Sequence, residues 1–237
     1  MFRRTLMHEL RNIIRDKMYL FFMVYPLILI LIALWLIPYL ANEVDLFASQ
    51  IVTLVFILMT SFIYGAVTGF TLLDDQDDKV FFSLRITPIK VSYYIMIKLL
   101  ISYLFGFIAT IALLLSTNFL EQSILTYVLI ASLASFQAPF IALIVNTFAS
   151  NKIEGFVVMK ASGLILLLPI AALFIHNWTE FFIGIVPGFW VARMVSMELI
   201  QGSYILPNYG YFIFGLIYNL VVIGLLFKNY KKRLGLV

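Results

Sequence analysis

Six long apolar stretches restrict what this chain can fold into. An α-helix rises about 1.5 Å per residue, so roughly 20 apolar residues cross the ~30 Å hydrocarbon core of a bilayer. Composition agrees, because the chain is 63% hydrophobic and 12% charged, whereas a soluble domain carries about 25% charged residues. We therefore predict an all-α integral membrane protein, with a single transmembrane domain over residues 1–237. Its predicted spans are residues 18–40, 50–73, 95–116, 124–149, 156–176 and 209–228.

The basic residues collect on one side of these predicted spans. Six crossings put both termini on that side, together with the segments between spans two and three and between spans four and five. Every lysine and arginine except Arg193 lies there or at the adjacent span edge. The positive-inside rule assigns this side, and both termini, to the cytoplasm. The net charge of +4 has this explanation, so we expect no nucleic-acid partner.

The first 17 residues form a candidate amphipathic helix ahead of span one. Apolar side chains recur at helical spacing on one face, and cationic side chains lie on the other, where they would meet anionic lipid headgroups. The alternative is an ordinary positively charged flank of the first span. Span one is longer than the roughly 7–15 residues of a signal-peptide core, so we expect it to be retained. The residues of the predicted interfacial helix are Phe2, Leu6, Leu10, Arg11, Ile13 and Arg15.

Residues 74–94, between spans two and three, contain a short cytoplasmic helix in our interpretation. Acidic residues stabilise the first turn of a helix, and Thr87-Pro88 is typical of a second helix start. The apolar groups in this segment need cover, either from this chain or from a partner. The acidic run lacks the glycine and glutamate of a calcium loop, so we predict no metal. The key residues are Asp74, Asp75, Asp77, Asp78, Phe81, Phe82, Leu84 and Arg85.

Residues 177–208 form a long segment before the last span that is neither a clean span nor a polar loop. Two apolar runs flank Pro187-Gly188, and the second contains Trp190 and Arg193. Broken backbone at membrane depth is tolerated where protein or a water-filled cavity covers it. This pattern predicts two short re-entrant helices at the outer end. A belt of tryptophans at the membrane interface is a second interpretation, compatible with the first.

Catalytic and nucleotide-binding patterns are missing from the sequence. It has two histidines, no H-E-x-x-H and no Walker A sequence. The few polar residues inside spans include Gln137 and Asn146 but no carboxylate near the bilayer centre, which weighs against proton-coupled transport. We expect no enzyme activity and no cofactor in this chain.

Three stretches together resemble the ABC-2 type permease family. They are residues 71–90 followed by Tyr93 and Lys98, residues 146–156 with Lys160 and Pro169, and residues 185–193 through Gly202. The resemblance extends over the whole chain in span number and loop placement. It is strongest to small permeases of the drug, peptide or bacteriocin-immunity type.

This resemblance implies the membrane subunit of a bacterial ABC exporter with a type V exporter-like fold, in the cell membrane. It implies a second permease chain, identical or paralogous, and two separate ATPase subunits that bind ATP and Mg. The helix within residues 74–94 would be the coupling helix, with its eight key residues at or beside the ATPase. Pro187, Gly188, Trp190 and Arg193 would form an outer gate. The alternatives are a secondary transporter or channel subunit, an intramembrane enzyme, and a non-transporting sensor or scaffold.

Overall fold

The computed structural model describes residues 17–117, 123–175, 177–200 and 204–236. In these ranges the chain is helical and contains no strand. Six helical segments are long and apolar enough to cross a membrane, which confirms the predicted number. The predicted interfacial helix lies outside the described residues, except that Lys17 begins the first helix. The six segments are Val24–Glu43, Leu46–Asp77, Val91–Thr117, Ile124–Phe148, Lys152–Leu173 and Asn208–Arg233.

Ten α-helices and one 3₁₀-helix make up the described parts of the chain. The 3₁₀-helix, Leu168–Leu173, continues the fifth span after α7. The α-helices are α1 (Lys17–Glu43), α2 (Leu46–Asp77), α3 (Val80–Arg85), α4 (Val91–Thr117), α5 (Ile124–Ser135), α6 (Gln137–Phe148), α7 (Lys152–Ile165), α8 (Glu180–Ile183), α9 (Phe189–Leu199) and α10 (Asn208–Arg233).

Helix α2 lies in the middle of the bundle and packs closely against α6. Gly65 and Gly69 are four residues apart on one face of α2, and a Cβ on Gly65 would lie 2.4 Å from the Ala138 carbonyl oxygen. The Asn146 side-chain amide donates to the Gly69 carbonyl over 2.9 Å. Small residues at this spacing let two membrane helices approach backbone to backbone.

The fourth span is interrupted between α5 and α6. Pro139 has no N–H to donate to the Ser135 carbonyl, so the regular hydrogen-bond ladder fails there. Nearby, the Phe136 N–H donates to the Leu133 carbonyl, three residues back rather than the four of an α-helix. Gln137 begins α6 and is buried. The break therefore carries an aromatic ring and a buried amide at adjacent positions in the middle of the span.

Two local predictions around residues 74–94 were wrong. Helix α2 continues through Asp77, so Asp74 and Asp75 lie in its last turn and not in the first turn of the next helix. Lysines from α4 and α7 pair with them and offset their unfavourable position at a helix C-terminus. Thr87 accepts and donates hydrogen bonds within the turn after α3, and the next helix begins only at Val91.

Candidate functional site

Helix α3 divides its side chains between the bundle and the outside. Lys79 before it adopts a left-handed conformation with φ of 58°, which turns the chain sharply after α2. Phe81 is 6% exposed, and its ring meets the Tyr94 ring edge-on at 6.4 Å. Phe82 is 66% exposed and Ile86, just after the helix, is 89% exposed. One face of α3 is therefore anchored in the bundle, and the other presents apolar groups outward.

Arg85 connects α3 to the end of the last span. Its Nη2 donates to the Leu234 carbonyl over 3.2 Å, and its guanidinium lies 5.3 Å from the centre of the Phe82 ring. Leu84 packs at the edge of the same buried cluster as Phe81. The sequence pointed to Leu84 and Arg85, but it gave no sign that the C-terminal end of α10 lies beside them.

The four aspartates of this region differ in their surroundings, since two form ion pairs with lysines and two are exposed. Asp75 Oδ2 lies 2.6 Å from Lys98 Nζ, with side-chain exposures of 14% and 6%. Asp74 pairs with Lys152, at a more exposed position. Asp77 and Asp78 are exposed. The first pair joins α2 to α4 and the second joins α2 to α7, so two of the predicted coupling residues connect spans.

A buried polar cluster, here called the Asn146 node, joins three spans near α3. It consists of Gln76 on α2, Asn146 on α6 and Tyr230 on α10. The Asn146 Oδ1 accepts from Gln76 Nε2 over 2.9 Å and from the Tyr230 hydroxyl over 3.3 Å. Gln76 Nε2 also donates to the Tyr230 oxygen over 3.0 Å. Arg233 extends the node by donating to the Asn146 and Thr147 carbonyls.

The sequence marked Asn146 as an unusual polar residue inside a span but did not find its partners. Gln76 is one turn beyond the predicted end of span two, and Tyr230 follows the predicted end of span six. The available signal was position, because all three residues lie at the same end of their predicted spans.

At the opposite end of the bundle, a buried ion pair holds the segment between α7 and α10 together. Arg193 Nη2 lies 2.6 Å from Glu180 Oε2, with side-chain exposures of 0% and 1%. Arg193 also donates to the Ala172 carbonyl over 2.8 Å and to the Ile175 carbonyl. The Tyr211 hydroxyl donates to Glu180. These bonds join α8, α9, the 3₁₀-helix and the last span.

Arg193 was singled out from the sequence, but Glu180 and Tyr211 were missed as its partners. An acidic and a basic residue within one apolar segment are a usable signal, because buried charges require partners.

Trp190 and Gly188 fix the path of this segment through the bundle. The Trp190 indole donates to the Gly184 carbonyl over 3.0 Å, and its ring lies against that of Phe214. Gly188 has a φ of +87°, a conformation that suits glycine. A Cβ there would lie 3.3 Å from Gln137 Nε2, at the break of the fourth span. The Pro187-Gly188 turn therefore contacts the interior of the bundle.

Two hydrogen bonds attach the C-terminal end of α9 to neighbouring helices. Leu199, at its end, accepts from Gln50 in the second turn of α2. Glu198 accepts from Asn208 at the start of α10 over 2.8 Å. Burial raises the pKa of Glu198 above its ordinary value of 4.5, and the bond from Asn208 opposes this shift. In the described ranges, no cluster of three or more acidic or histidine residues fits a metal ion.

Comparison with known proteins shows which family the chain belongs to. A family described as "Fluoroquinolones export permease protein Rv2686c-like" matches residues 9–227. The chain belongs to this family. Two relatives are named Fluoroquinolones export permease protein Rv2686c and Fluoroquinolones export permease protein MT2760, from two strains of Mycobacterium tuberculosis. Each is 28% identical to this chain over 182 residues, which cover 75% of this chain and 70% of the relative. No solved structure matches.

Proposed function

We propose that this protein is the membrane-spanning subunit of a bacterial drug exporter of the ABC-2 type, driven by separate ATPase subunits. The family match supports export of fluoroquinolone-like drugs, because the relatives are named for it. The observation that supports an ATPase partner is that helix α3 has one buried face and one exposed apolar face. On this proposal α3 is the coupling helix, and the end of the bundle that contains it faces the cytoplasm together with both termini.

The outward face of α3 has the character of a protein contact. Phe82 and Ile86 are largely exposed, and the exposed charges Asp77, Asp78 and Lys90 flank them in the sequence. Such charges favour water over lipid, so the two apolar groups stand at an aqueous surface where a partner protein would cover them. Because the sequence has no Walker A motif, an ATPase chain is the partner that supplies energy for export.

The inward side of α3 would carry motion into the bundle. Phe81, Arg85, the Asp75–Lys98 pair and the Asn146 node attach this region to α2, α4, α6 and α10. A displacement of α3 by ATP-driven closure of the ATPases therefore moves four spans rather than a loose loop. Two permease chains with two ATPases would complete the exporter.

The segment between the fifth and sixth spans would act as the exit gate. Its Pro187-Gly188 turn lies beside Gln137 inside the bundle, and the Arg193–Glu180 pair holds its two helices together. On this proposal α8 and α9 are the re-entrant helices expected from the sequence. Opening would require separation of a buried ion pair, which is costly and so keeps the resting gate shut.

Co-purification of the ATPase tests the proposed partner directly. The chain is expressed with an ATPase encoded beside it, extracted in mild detergent and isolated through a tag. Replacing Phe82 and Ile86 by serine removes two apolar contacts of about 1.5 kcal/mol or more each, so we expect ATPase binding to weaken about 100-fold. Phe182→Ser is the matched control, since Phe182 is 78% exposed and lies in α8. An ATPase that binds the double variant as well as the unchanged chain would contradict the proposal.

A further inference from the structure

A groove on the side of the bundle has the dimensions of a small-molecule site. Helices α4, α6 and α10, with the break before α6, line an open groove with a volume of about 410 Å³, and ligand pockets occupy roughly 300–1,000 Å³. The walls are almost entirely apolar. The residues that define it are Met96, Tyr103, Phe136, Pro139, Gly224 and Phe227.

Two aromatic rings form one wall of the groove. The Tyr103 and Phe136 rings lie 4.9 Å apart, centre to centre, with an interplanar angle of 56°. Aromatic walls favour flat aromatic ligands, because offset and tilted ring pairs are attractive beyond their buried area. Met96 adds a flexible thioether, which adapts to ligands of different outline.

The groove also offers one hydrogen-bonding group. Tyr103 is half-buried and lines the groove, and none of the hydrogen bonds among the described residues involves its hydroxyl. A hydroxyl in an apolar setting gains from an acceptor, since leaving it unpaired there is costly. A ligand with a carbonyl or carboxylate beside a flat ring would satisfy it, whereas the acyl chain of a lipid would not.

Gly224 keeps the opposite side of the groove open. No heavy atom lies within 4 Å of the position a Cβ would take there. Because Gly224 lines the groove, a side chain at this position adds bulk beside it, and its Cβ meets no atom of the protein. This makes Gly224 a point where the groove can be filled while the fold is left intact.

The groove adjoins the contact of the Pro187-Gly188 turn. Phe136 lines the groove, while the next residue, Gln137, has its Nε2 near Gly188 and unbonded within the described residues. Pro139 removes a backbone bond from the same turn of helix. A ligand that displaces Phe136 would therefore shift the segment that contacts the Pro187-Gly188 turn. The unbonded Gln137 amide would be the next group available to it for a hydrogen bond.

We infer that this groove binds the exported drug, a flat aromatic amphiphile of the fluoroquinolone kind, and this rests on the proposed function. The fused rings lie against Tyr103 and Phe136, and a ring carbonyl or carboxylate accepts from the Tyr103 hydroxyl. A dimer contact would need a far larger surface than this groove, because stable interfaces bury about 1,200–2,000 Å².

Fluorescence anisotropy of a fluoroquinolone titrated with the purified chain in nanodiscs tests this site without an ATPase. Gly224→Phe fills the groove, and we expect it to weaken binding at least about 10-fold, a loss of roughly 1.4 kcal/mol. Tyr103→Phe removes one hydrogen bond, and we expect a loss of about 3-fold to 10-fold. Ile217→Phe is the matched control, because it adds a ring elsewhere on α10 at a position that is 56% exposed.

Gly224→Ala is a second control, in which we expect affinity within about 2-fold of the unchanged chain, since one methyl fills little of the groove. Unaltered affinity in Gly224→Phe would overturn the inference, and so would a change in oligomeric state without a change in drug affinity. If Gly224→Phe cells export the drug normally, the groove is refuted while the export function stands. If the groove binds drug but no ATPase ever co-purifies, the groove survives and the proposed ATPase-driven function fails.

Discussion

Lys98 Nζ lies 2.6 Å from Asp75 Oδ2, in a buried pair that joins the end of α2 to the first half of α4. Helix α3 connects these same two helices, so its two attachment points are tied together beneath it. Lys98 also lies 5.1 Å from the centre of the Tyr94 ring, against which Phe81 packs. The charge pair and the inward face of the proposed coupling helix thus form one packed unit.

Breaking this pair from one side should destabilise the protein strongly. Lys98→Met leaves a buried carboxylate without its cation, at a cost of about 3–5 kcal/mol, whereas Asp75→Asn with Lys98→Met removes both charges and should recover part of the loss. Asp77→Asn, at an exposed acidic position in the same turn of α2, should change little. The melting temperatures of the unchanged chain and of these three variants are measured by thermal unfolding in detergent. Equal melting temperatures for Lys98→Met and Asp77→Asn would contradict the buried pairing.

The Asn146 node should depend on one phenol oxygen. Tyr230→Phe keeps the ring but removes bonds to Gln76 and Asn146, leaving buried amide groups less well paired at a cost of about 1–3 kcal/mol. Tyr209→Phe makes the same change at a position that is 59% exposed and serves as control. Stability is measured by thermal unfolding. A Tyr230→Phe protein as stable as the control would show that the node contributes nothing.

The contact between α2 and α6 should not tolerate a side chain at Gly65. A Cβ there would meet the Ala138 carbonyl oxygen at 2.4 Å, so Gly65→Ala must push two backbones apart and should lower stability by about 1–3 kcal/mol. Gly163→Ala is the control, because its nearest neighbour would be the Phe62 ring at 3.8 Å. The ratio of folded to aggregated protein in size-exclusion profiles and the melting temperature report the effect. Equal behaviour of both variants would refute this packing.

Glu198 should make stability depend on pH. Its pKa is raised in the folded protein by burial, so folding favours the protonated form. That contribution is fully present below the unfolded pKa and is lost as pH rises through the folded pKa. Melting temperature should therefore fall as pH rises from about 4.5, the ordinary glutamate value, and into the range just above it. Glu198→Gln keeps an acceptor for Asn208 and should flatten this part of the profile; an unchanged slope would exclude Glu198 as its source.

The number of spans was predictable because lipid imposes a one-dimensional rule on the sequence. Each crossing needs a continuous apolar stretch, so the six apolar stretches predicted the six candidate spans without knowledge of their packing. The exact end of α2 was not predictable, because it depends on Lys98 and Lys152, which lie far along the chain from the aspartates that they neutralise.

The residues of the candidate site were found more readily than their arrangement. The sequence left open whether this chain or a partner covers the phenylalanines of α3. The structure divides them, because Phe81 is buried in the bundle while Phe82, the next residue of the same six-residue helix, is exposed. In the same way Arg193 stood out as a lone outer cation, while its pairing with Glu180 needed the fold of α8 against α9.

Drug transport into inside-out membrane vesicles tests most directly whether a separate ATPase drives this permease. A fluoroquinolone is added to the medium outside vesicles that contain the chain and its co-expressed ATPase. Uptake is measured with and without ATP, and with and without a protonophore. The proposal predicts accumulation that requires ATP, persists when the proton gradient is collapsed, and is lost with Phe82→Ser and Ile86→Ser. Accumulation that needs no ATP and stops when the gradient is collapsed would contradict it.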